Sequence, residues 1–293
     1  MGELTVKGKN IGDTTRKSKI SLKKDIYKVM FEELGEVDKK EINKKILISG
    51  ENGTAKSSLA LSLLTHDLQD DEVVIYVDID NSGYEIIQSF YFKYYETHQV
   101  RHYNPTQTKD EGKRSIKDEE ATAGAVGAMA HAISEAIENG FTIKGIIVDG
   151  LTFLLQYCEA VMRINKDKAA DEGIPMGAWK IRNDEFRKIY SLYMALPTTI
   201  IFISHEDFIE EFQEKDLSSV KRQFINECSM RIITQREDSD NPDVENYIAT
   251  VRKNRSDVTQ VNKIFKFMSV NKKTSKIDFD AENLVKVIFP TET

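Results

Sequence analysis

Cysteine, proline and tryptophan are scarce in this chain, which has two, five and one of them among its 293 residues. Cys158 and Cys228 are far apart and have no neighbouring Cys or His cluster, so the sequence predicts neither a disulfide scaffold nor a structural zinc site. No stretch approaches the roughly 18 consecutive apolar residues of a membrane helix. The N-terminus also lacks the apolar run of a secretory signal. We therefore expect a cytoplasmic protein in a reducing compartment, without a membrane partner.

Charge is unevenly distributed along the chain. The whole sequence has 41 basic and 48 acidic residues, a net charge of -7. Residues 1–28 hold eight basic and three acidic side chains, a balance of +5, which leaves -12 for the remainder. We expect 1–28 to form a flexible basic arm, either as a solvated tail or as a contact for nucleic acid or a partner. The acidic body would meet a polyanion only through a local patch.

Four short apolar runs rich in β-branched residues predict strands that are covered on both faces. Helical segments alternate with them, and this alternation predicts an α/β fold with a mainly parallel sheet flanked by helices. The predicted strands are Ile46–Ser49, Val73–Val77, Gly145–Val148 and Thr199–Ser204. The predicted helices are Ser57–His66, Tyr84–Tyr95, Glu119–Glu138, Phe153–Ile164 and Asn183–Leu196.

The pattern changes beyond residue 205, where short alternating segments predict a C-terminal antiparallel β extension with hairpins. We divide the chain into the arm 1–28, a core 29–262 and the C-terminal β extension 263–293. Polar composition and turn residues predict surface loops at 99–117 and 166–178. The alternating segments are Met230–Thr234, Tyr247–Val251, Lys263–Met268, Lys276–Phe279 and Leu284–Phe289.

The strongest chemical signal joins the first predicted strand to the first helix. It matches the phosphate-loop pattern G-x-x-x-x-G-K-[ST], except that Ala55 replaces the second glycine, a change that we expect to require a negative φ. Backbone N–H groups would hold the phosphates of ATP, Lys56 would neutralise their charge, and Ser57 would ligate Mg²⁺. The alternative is an accidental glycine-rich turn with a solvated lysine. The predicted nucleotide-binding residues are Gly50, Glu51, Asn52, Gly53, Thr54, Ala55, Lys56, Ser57 and Ser58.

Acidic and polar residues end the other predicted strands, where ligands collect in parallel sheets. Asp149 is placed to hold the Mg²⁺ shell together with Ser57. Asp80 is our choice for orienting and deprotonating the attacking water, with Asp78 in reserve. Capping of a helix is the alternative for either residue. His205 is placed to sense the γ-phosphate, and a purely structural histidine is the alternative.

The order of these motifs resembles the RecA-like ATPase superfamily, and within it the phage-encoded RecA-like recombination ATPases of the sak single-strand-annealing group. The resemblance spans about residues 46–255. Tyr76–Asp80 looks like the family's strand that ends in a catalytic Glu, and Asp149–Thr152 looks like its Walker B strand. The stretch from Trp179 to Glu206 is similar to that group's run into its sensor strand.

A later element, Ile248–Arg255, is similar to the Lys-x-Arg element that RecA-like rings insert into a neighbour's nucleotide site. The resemblance therefore implies that Lys253 and Arg255 act across the interface of a homo-oligomer, a ring or a filament. Cations at i and i+2 leave a strand on the same side, and Arg supplied in trans stabilises charge in phosphoryl transfer. An exposed basic strand end is the alternative.

Two departures from the family pattern qualify the inherited function. Asp80 stands where the family has Glu, which favours slow hydrolysis or another base such as Glu85. The acidic run from Glu206 to Asp216 replaces a DNA-facing loop and works against phosphate contact.

The leading hypothesis is a Mg-dependent ATPase that works on single-stranded DNA in viral recombination or replication, in the host cytoplasm. The alternatives are a nucleotide-gated interaction protein with negligible hydrolysis, and a hexameric DnaB-type helicase or DNA packaging motor.

Overall fold

The computed structural model describes residues 43–106, 115–169, 172–205 and 219–290. The strands in these ranges join in one sheet, and both of its faces are covered by helices. The strands are β1 (Lys45–Gly50), β2 (Val73–Asp78), β3 (Val100–Tyr103), β4 (Ile143–Asp149), β5 (Thr199–His205), β6 (Met230–Glu237), β7 (Val244–Asn254), β8 (Ile264–Asn271) and β9 (Lys276–Phe279).

The sheet has a parallel part and an antiparallel part, in the order β3-β2-β4-β5-β1-β6-β7-β8-β9. Every pairing from β3 to β6 is parallel, and β6, β7, β8 and β9 pair antiparallel to one another. The sequence assigned Met230–Thr234 to the antiparallel extension, but Met230 of β6 lies opposite Ile46 in a parallel pairing. β6 therefore belongs to both parts of the sheet, because it also pairs antiparallel with β7, as the sequence predicted.

Helices on both faces account for the continuous apolar runs of the central strands. One face packs against Val126, Leu154, Phe186 and Phe224, and the other packs against α1, α2 and α8. The helices are α1 (Lys56–Thr65), α2 (Gly83–Phe90), α3 (Phe92–Glu96), α4 (Ile116–Glu138), α5 (Leu151–Ile164), α6 (Trp179–Ala195), α7 (Ser219–Glu227) and α8 (Glu282–Ile288). None of the helices in the described ranges has the length and apolar character needed to cross a membrane.

Three sequence predictions of secondary structure were wrong. Tyr84–Tyr95 was expected as one helix but is divided at Tyr91 into α2 and α3. Residues 100–103 were expected in a surface loop but form β3, which pairs with β2 on one side only and therefore needs few apolar residues. Leu284–Phe289 was expected as a strand but belongs mostly to α8. Its buried residues Leu284, Val285 and Ile288 follow a helical spacing, and Lys286 forms an i,i+4 ion pair with Glu282 at 2.7 Å.

Some predictions concern parts of the chain that the structure does not describe. The basic arm 1–28 and the acidic run 206–216 lie outside the described residues. The boundary between residues 262 and 263 stays a prediction. β8 and β9 continue the sheet of the preceding residues, and α8 buries Leu284 in the same apolar cluster as α1.

Candidate phosphate-binding site

The carboxyl ends of the parallel strands bring the predicted polar residues to one edge of the sheet, which we call the loop edge. Gly50 at the end of β1 lies opposite His205 at the end of β5. Asp78 at the end of β2 lies opposite Asp149 at the end of β4. This placement follows from parallel pairing alone, because parallel strands all end on the same side.

The loop from Gly50 to Ala55 leads directly into α1, whose first residue is Lys56. Ala55 has φ 58 and ψ 29, in the left-handed region, so our expectation of a negative φ was wrong. The chain needs a left-handed step to turn from the loop into the helix, and alanine takes it at a cost of about 1–2 kcal/mol. Gly53 has φ 72, where the absence of a Cβ removes that cost.

Lys56 is folded back into its own loop. Its Nζ donates to the carbonyl oxygens of Gly50 at 3.1 Å and Glu51 at 2.7 Å. The ammonium is thus held inside the ring of loop backbone where a phosphate chain would lie. Because carbonyls are neutral acceptors, exchanging them for phosphate oxygens would strengthen the bonds of this lysine.

Ser57 connects the loop to β4. Its hydroxyl donates to Asp149 Oδ2 at 2.5 Å, and the hydroxyl of Tyr76 on β2 donates to the same oxygen. Asp149 and Tyr76 are both buried, so these hydroxyls replace water as the partners of the carboxylate. Two strands, β2 and β4, and the first turn of α1 therefore meet at a single carboxylate oxygen.

Burial raises the pKa of two carboxyl groups at this edge, those of Asp149 and Asp80. Burial raises the pKa of the Asp149 carboxyl to about 7, and the charge of Asp80 adds to the rise. Burial likewise raises the pKa of Asp80, against hydrogen bonds from Ser82. A cation bound at this edge would favour the charged forms of both acids.

Asp78 is bonded as a scaffold residue. Its carboxylate accepts from the backbone N–H groups of Ser82 and Gly83, each at 3.1 Å, at the start of α2, and from His102 Nε2 at 2.8 Å. Burial opposes the charged form, but the bonds from His102 and Gly83 outweigh it and hold the pKa of Asp78 below its usual value. This arrangement is the capping role that the sequence left open for Asp78.

Asp80 lies beside Gly150, the residue after β4. Its backbone packs against Gly150, where an added Cβ would come within 3.1 Å of the Asp80 nitrogen. Its Oδ1 accepts from the backbone N–H of Ser82 at 3.0 Å and from the Ser82 hydroxyl at 2.7 Å. Glu85, the other base considered, is exposed in the first turn of α2.

His205 sits beside the loop at the end of β5. Its backbone N–H donates to the Thr152 hydroxyl at 3.1 Å, and its ring meets the edge of Phe153 at 5.7 Å between centroids. Both partners belong to the first turn of α5, directly after Asp149 and Gly150. His205 is therefore tied to the segment that follows the β4 carboxylate.

The donor set fits Mg²⁺ in the form in which ATPases hold it. Mg²⁺ takes oxygen ligands, commonly one or two from the protein and the rest from phosphates and water. Ser57 and Asp149 supply a hydroxyl and a carboxylate oxygen at one point, beside the loop amides. Within the described ranges, no group of three or more His, Cys, Asp or Glu side chains could hold a metal ion by itself. The remaining Mg²⁺ ligands would be phosphate and water oxygens.

Lys253 and Arg255 lie at the other edge of the sheet. Asn254, which lies between them, pairs with Met230 at the start of β6, and Met230 lies opposite Ile46 of β1. Four residues of β1 separate this level from Gly50, or about 13 Å along the strand. The structure therefore does not bring Lys253 and Arg255 to the loop of their own chain.

Both cations instead bind the carboxyl end of α7. Lys253 Nζ donates to the carbonyls of Ile225 and Asn226, each at 2.9 Å, and the Arg255 guanidinium donates to the Asn226 carbonyl. Cations are favourable there because the last carbonyls of a helix lack partners and carry partial negative charge.

Sequence reasoning missed several residues that support the loop. The Thr54 and Thr234 hydroxyls are 2.8 Å apart, and Arg236 Nε donates to the Gly53 carbonyl at 3.1 Å. Tyr76 and His102 hold the two buried acids. Residues two apart on a strand lie on the same face, as Thr234 and Arg236 do on β6 and Tyr76 and Asp78 do on β2. This spacing was the sequence signal that could have identified them.

A glycine-containing loop that opens a helix, joined to an acid at the end of a neighbouring parallel strand, defines the P-loop ATPase class of fold. The chain belongs to the AAA-domain family, whose sequence model matches residues 42–239. The RecA-like arrangement expected from the sequence, a mainly parallel sheet flanked by helices with C-terminal antiparallel strands, is confirmed. The search of curated proteins found no match.

Two solved structures are similar over most of the chain. A KaiC-like protein of Pyrococcus horikoshii OT3 is 12% identical with a TM-score of 0.49, covering 81% of this chain and 89% of its own. The flagellar accessory protein FlaH of Methanocaldococcus jannaschii is 15% identical with a TM-score of 0.44, covering 81% of this chain and 92% of its own. Likeness at this level says nothing of what the chain binds or acts on.

Proposed function

We propose that the chain binds ATP with Mg²⁺ at the loop edge and hydrolyses it. The observation that carries the proposal is the 2.5 Å bond between Ser57 and Asp149, which joins the loop to the end of β4. Ser57 and Asp149 would hold Mg²⁺, which when bound neutralises charge on the phosphates. The loop from Gly50 to Ser58 would hold the phosphates through its N–H groups, with Lys56 as the counter-charge.

Asp80 and His205 complete the proposed roles within one chain. Asp80 would orient the attacking water and accept its proton, since it lies beside Gly150 and burial raises its pKa toward neutrality. His205 would report the γ-phosphate to α5 through its bond to Thr152. Asp78 is bound by His102 and the start of α2, so we assign it to the scaffold.

Lys56→Ala tests this proposal. The variant should lose ATP turnover to below detection and keep its circular-dichroism spectrum, because the bonds of the Lys56 ammonium to Gly50 and Glu51 lie within the loop itself. Lys93→Ala, at an exposed position in α3, is the matched control and should keep turnover. Undiminished turnover of Lys56→Ala in a preparation free of other ATPases would overturn the proposal.

The proposed working form is a homo-oligomer, a ring or a filament, in which Lys253 and Arg255 enter a neighbour's loop edge. The support is geometric, since these cations lie about 13 Å along the sheet from their own loop. The carbonyls that hold them are neutral, and an anionic phosphate would be the stronger acceptor.

The proposed substrate of the assembled ATPase is single-stranded DNA, in phage recombination or replication. This proposal rests on the resemblance of residues 46–255 to phage recombination ATPases. A gel-shift series with single-stranded DNA should show binding that weakens steeply as salt rises, since phosphate contacts release counterions. Absence of a shift at low salt would contradict it, and strand displacement would favour the helicase alternative.

A nucleotide-gated interaction protein is the second candidate. It is favoured by the short side chain of Asp80, whose Oδ1 is already engaged by two donors of Ser82. Binding of a fluorescent ATP analogue without steady-state phosphate release would establish this alternative. Steady-state phosphate release by the wild-type chain that Lys56→Ala lacks would exclude it.

A further inference from the structure

A second pocket lies at the edge of the sheet opposite the phosphate loop. Its volume is about 590 Å³, and it lies between the residue before β1, the turn after β7 and α8. Small-molecule sites commonly have 300–1,000 Å³. Lys44 lines this pocket and is six residues before Gly50, about 20 Å along an extended chain, so the pocket is separate from the nucleotide site.

Lys44 is an unusual lysine. It is 4% exposed, and among the described residues no hydrogen-bond acceptor or carboxylate partners its ammonium. Burial lowers the pKa of this ammonium. Its stem is therefore buried, while its ammonium keeps access to the pocket that Lys44 lines.

Lys45, the next residue, shows how the same fold satisfies a lysine. Its Nζ donates to the carbonyls of Leu196 and Thr198, each at 2.7 Å. The two neighbouring side chains leave an extended chain on opposite faces, one toward these carbonyls and one toward the pocket. Lys44 therefore lacks an acceptor at the point where the pocket offers space for one.

The remainder of the lining is cationic and apolar. Lys263 and Lys286 line the pocket together with Phe265 and Val287. Lys286 pairs with Glu282 at 2.7 Å, but both side chains are 63% exposed, so that pair is weak and the ammonium is free to turn toward the pocket. Three lysines therefore line a pocket that also has an apolar wall.

Asp257, the carboxylate in the lining, forms hydrogen bonds within its own turn. Its oxygens accept from the Thr259 N–H at 2.9 Å, the Thr259 hydroxyl at 2.6 Å and Gln260 Nε2 at 2.8 Å. These bonds hold the carboxylate where it caps the short helical turn 258–260. The three lysines of the lining outnumber this one carboxylate, so the pocket carries a surplus of positive charge.

We propose that this pocket binds the phosphate group of a small molecule through Lys44, Lys263 and Lys286. A tetrahedral phosphate offers separate oxygens to three amines, and lysine serves proteins as a point-charge phosphate ligand. Phe265 and Val287 would contact an organic group attached to the phosphate. This site is independent of the proposed ATPase activity.

Calorimetric titration with inorganic phosphate at constant ionic strength tests the proposal. The titration uses the Lys56→Ala chain, so that binding at the phosphate loop does not contribute. Phosphate should bind, and adding Lys44→Met should weaken its affinity at least about tenfold, since it removes an ammonium that has no other acceptor. Adding Lys45→Met instead is the matched control and should change the affinity by less than about twofold.

Two further arms keep the test decisive. If Lys44→Met does not fold, the exposed double variant Lys263→Gln, Lys286→Gln should still weaken phosphate binding. Phenyl phosphate distinguishes the source: tighter binding than inorganic phosphate assigns an organic phosphate, and equal binding assigns the free ion. No binding to the Lys56→Ala chain, or equal affinity for the Lys44 and Lys45 variants, overturns the proposal.

Discussion

The two edges of the sheet hold their charged side chains in different ways. At the loop edge, side chains from α1, β2 and β4 bond to one another, as Ser57 and Tyr76 do to Asp149. At the opposite edge, Lys253 and Arg255 bond to backbone carbonyls of α7. The polar groups of the loop edge therefore already bond to one another. The cations of the opposite edge bond to neutral carbonyls, which an anionic acceptor would replace.

This difference indicates which part of the proposed site lies within a single chain. The loop edge has the groups that hold phosphate and Mg²⁺, and the groups that would stabilise the transition state lie about 13 Å away along the sheet. A second chain placed head to tail would bring the two halves together, since such interfaces join unlike surfaces. Each prediction below alters one side of this comparison.

Arg255→Ala changes the opposite edge and has the largest expected effect. Turnover should fall at least about 1,000-fold, as expected for an arginine supplied in trans, with ATP affinity within about threefold of wild type. Phosphate release and nucleotide binding measure the two quantities. Arg252→Ala, three residues earlier on β7 and exposed, is the control and should keep turnover. Equal losses of binding and turnover would argue against a role in trans.

Asp80→Asn and Asp78→Asn test the catalytic role proposed for one acid of the loop edge and the structural role proposed for the other. Asp80→Asn should lower turnover by about 100-fold or more, as loss of a general base does, and change stability by less than about 0.5 kcal/mol. Asp78→Asn should lower the free energy of unfolding by about 2 kcal/mol, because bonds to His102 and α2 weaken. Denaturant unfolding and phosphate release distinguish them, and the reverse pattern would exchange the two assignments.

Tyr76→Phe removes one donor to Asp149 and should lower turnover about tenfold, since groups that orient a metal ligand have effects of this size. The Mg²⁺ concentration for half-maximal turnover should rise as well. Tyr193→Phe is the control, because that buried hydroxyl donates to the Val126 carbonyl at 2.8 Å in the helical layer. A Tyr76 variant that loses stability but keeps its Mg²⁺ dependence would make the tyrosine a packing residue alone.

Ala55→Gly has the smallest expected effect. Glycine adopts the left-handed conformation at position 55 without strain, so the free energy of unfolding should rise by about 1 kcal/mol. The same substitution at Ala121, exposed in α4, should lower it by about 1 kcal/mol. Urea unfolding of both variants checks the opposite signs, and a loss of stability at position 55 would contradict the strain.

The sequence predicted the core strands well because their burial leaves a local pattern. Ile46–Ser49 and Gly145–Val148 are continuous apolar runs, and each forms most of a central strand. Val100–Tyr103 has one aliphatic residue and pairs with a single neighbour, so its strand depends on β2 rather than on its own composition. For Leu284–Phe289, a short apolar segment fits either period, and the i,i+4 pair was the overlooked signal.

The site was less predictable than the fold. The loop motif and the strand-end acids were visible because chain order and parallel pairing place them together. The bond from Tyr76 to Asp149 and the capping by Asp78 depend on side-chain directions that no motif encodes. A negative φ was predicted for Ala55 because alanine stands where the motif has glycine, but the residue has a left-handed backbone.

The most direct test of the central claim mixes two inactive chains. Lys56→Ala disables the loop edge and Arg255→Ala disables the opposite edge, so neither chain alone should hydrolyse ATP. After mixed assembly is verified by pull-down between differently tagged chains, the equimolar mixture should regain about a quarter of wild-type turnover, because random head-to-tail assembly makes one interface in four intact. A mixture as inactive as its components would contradict a site shared between chains.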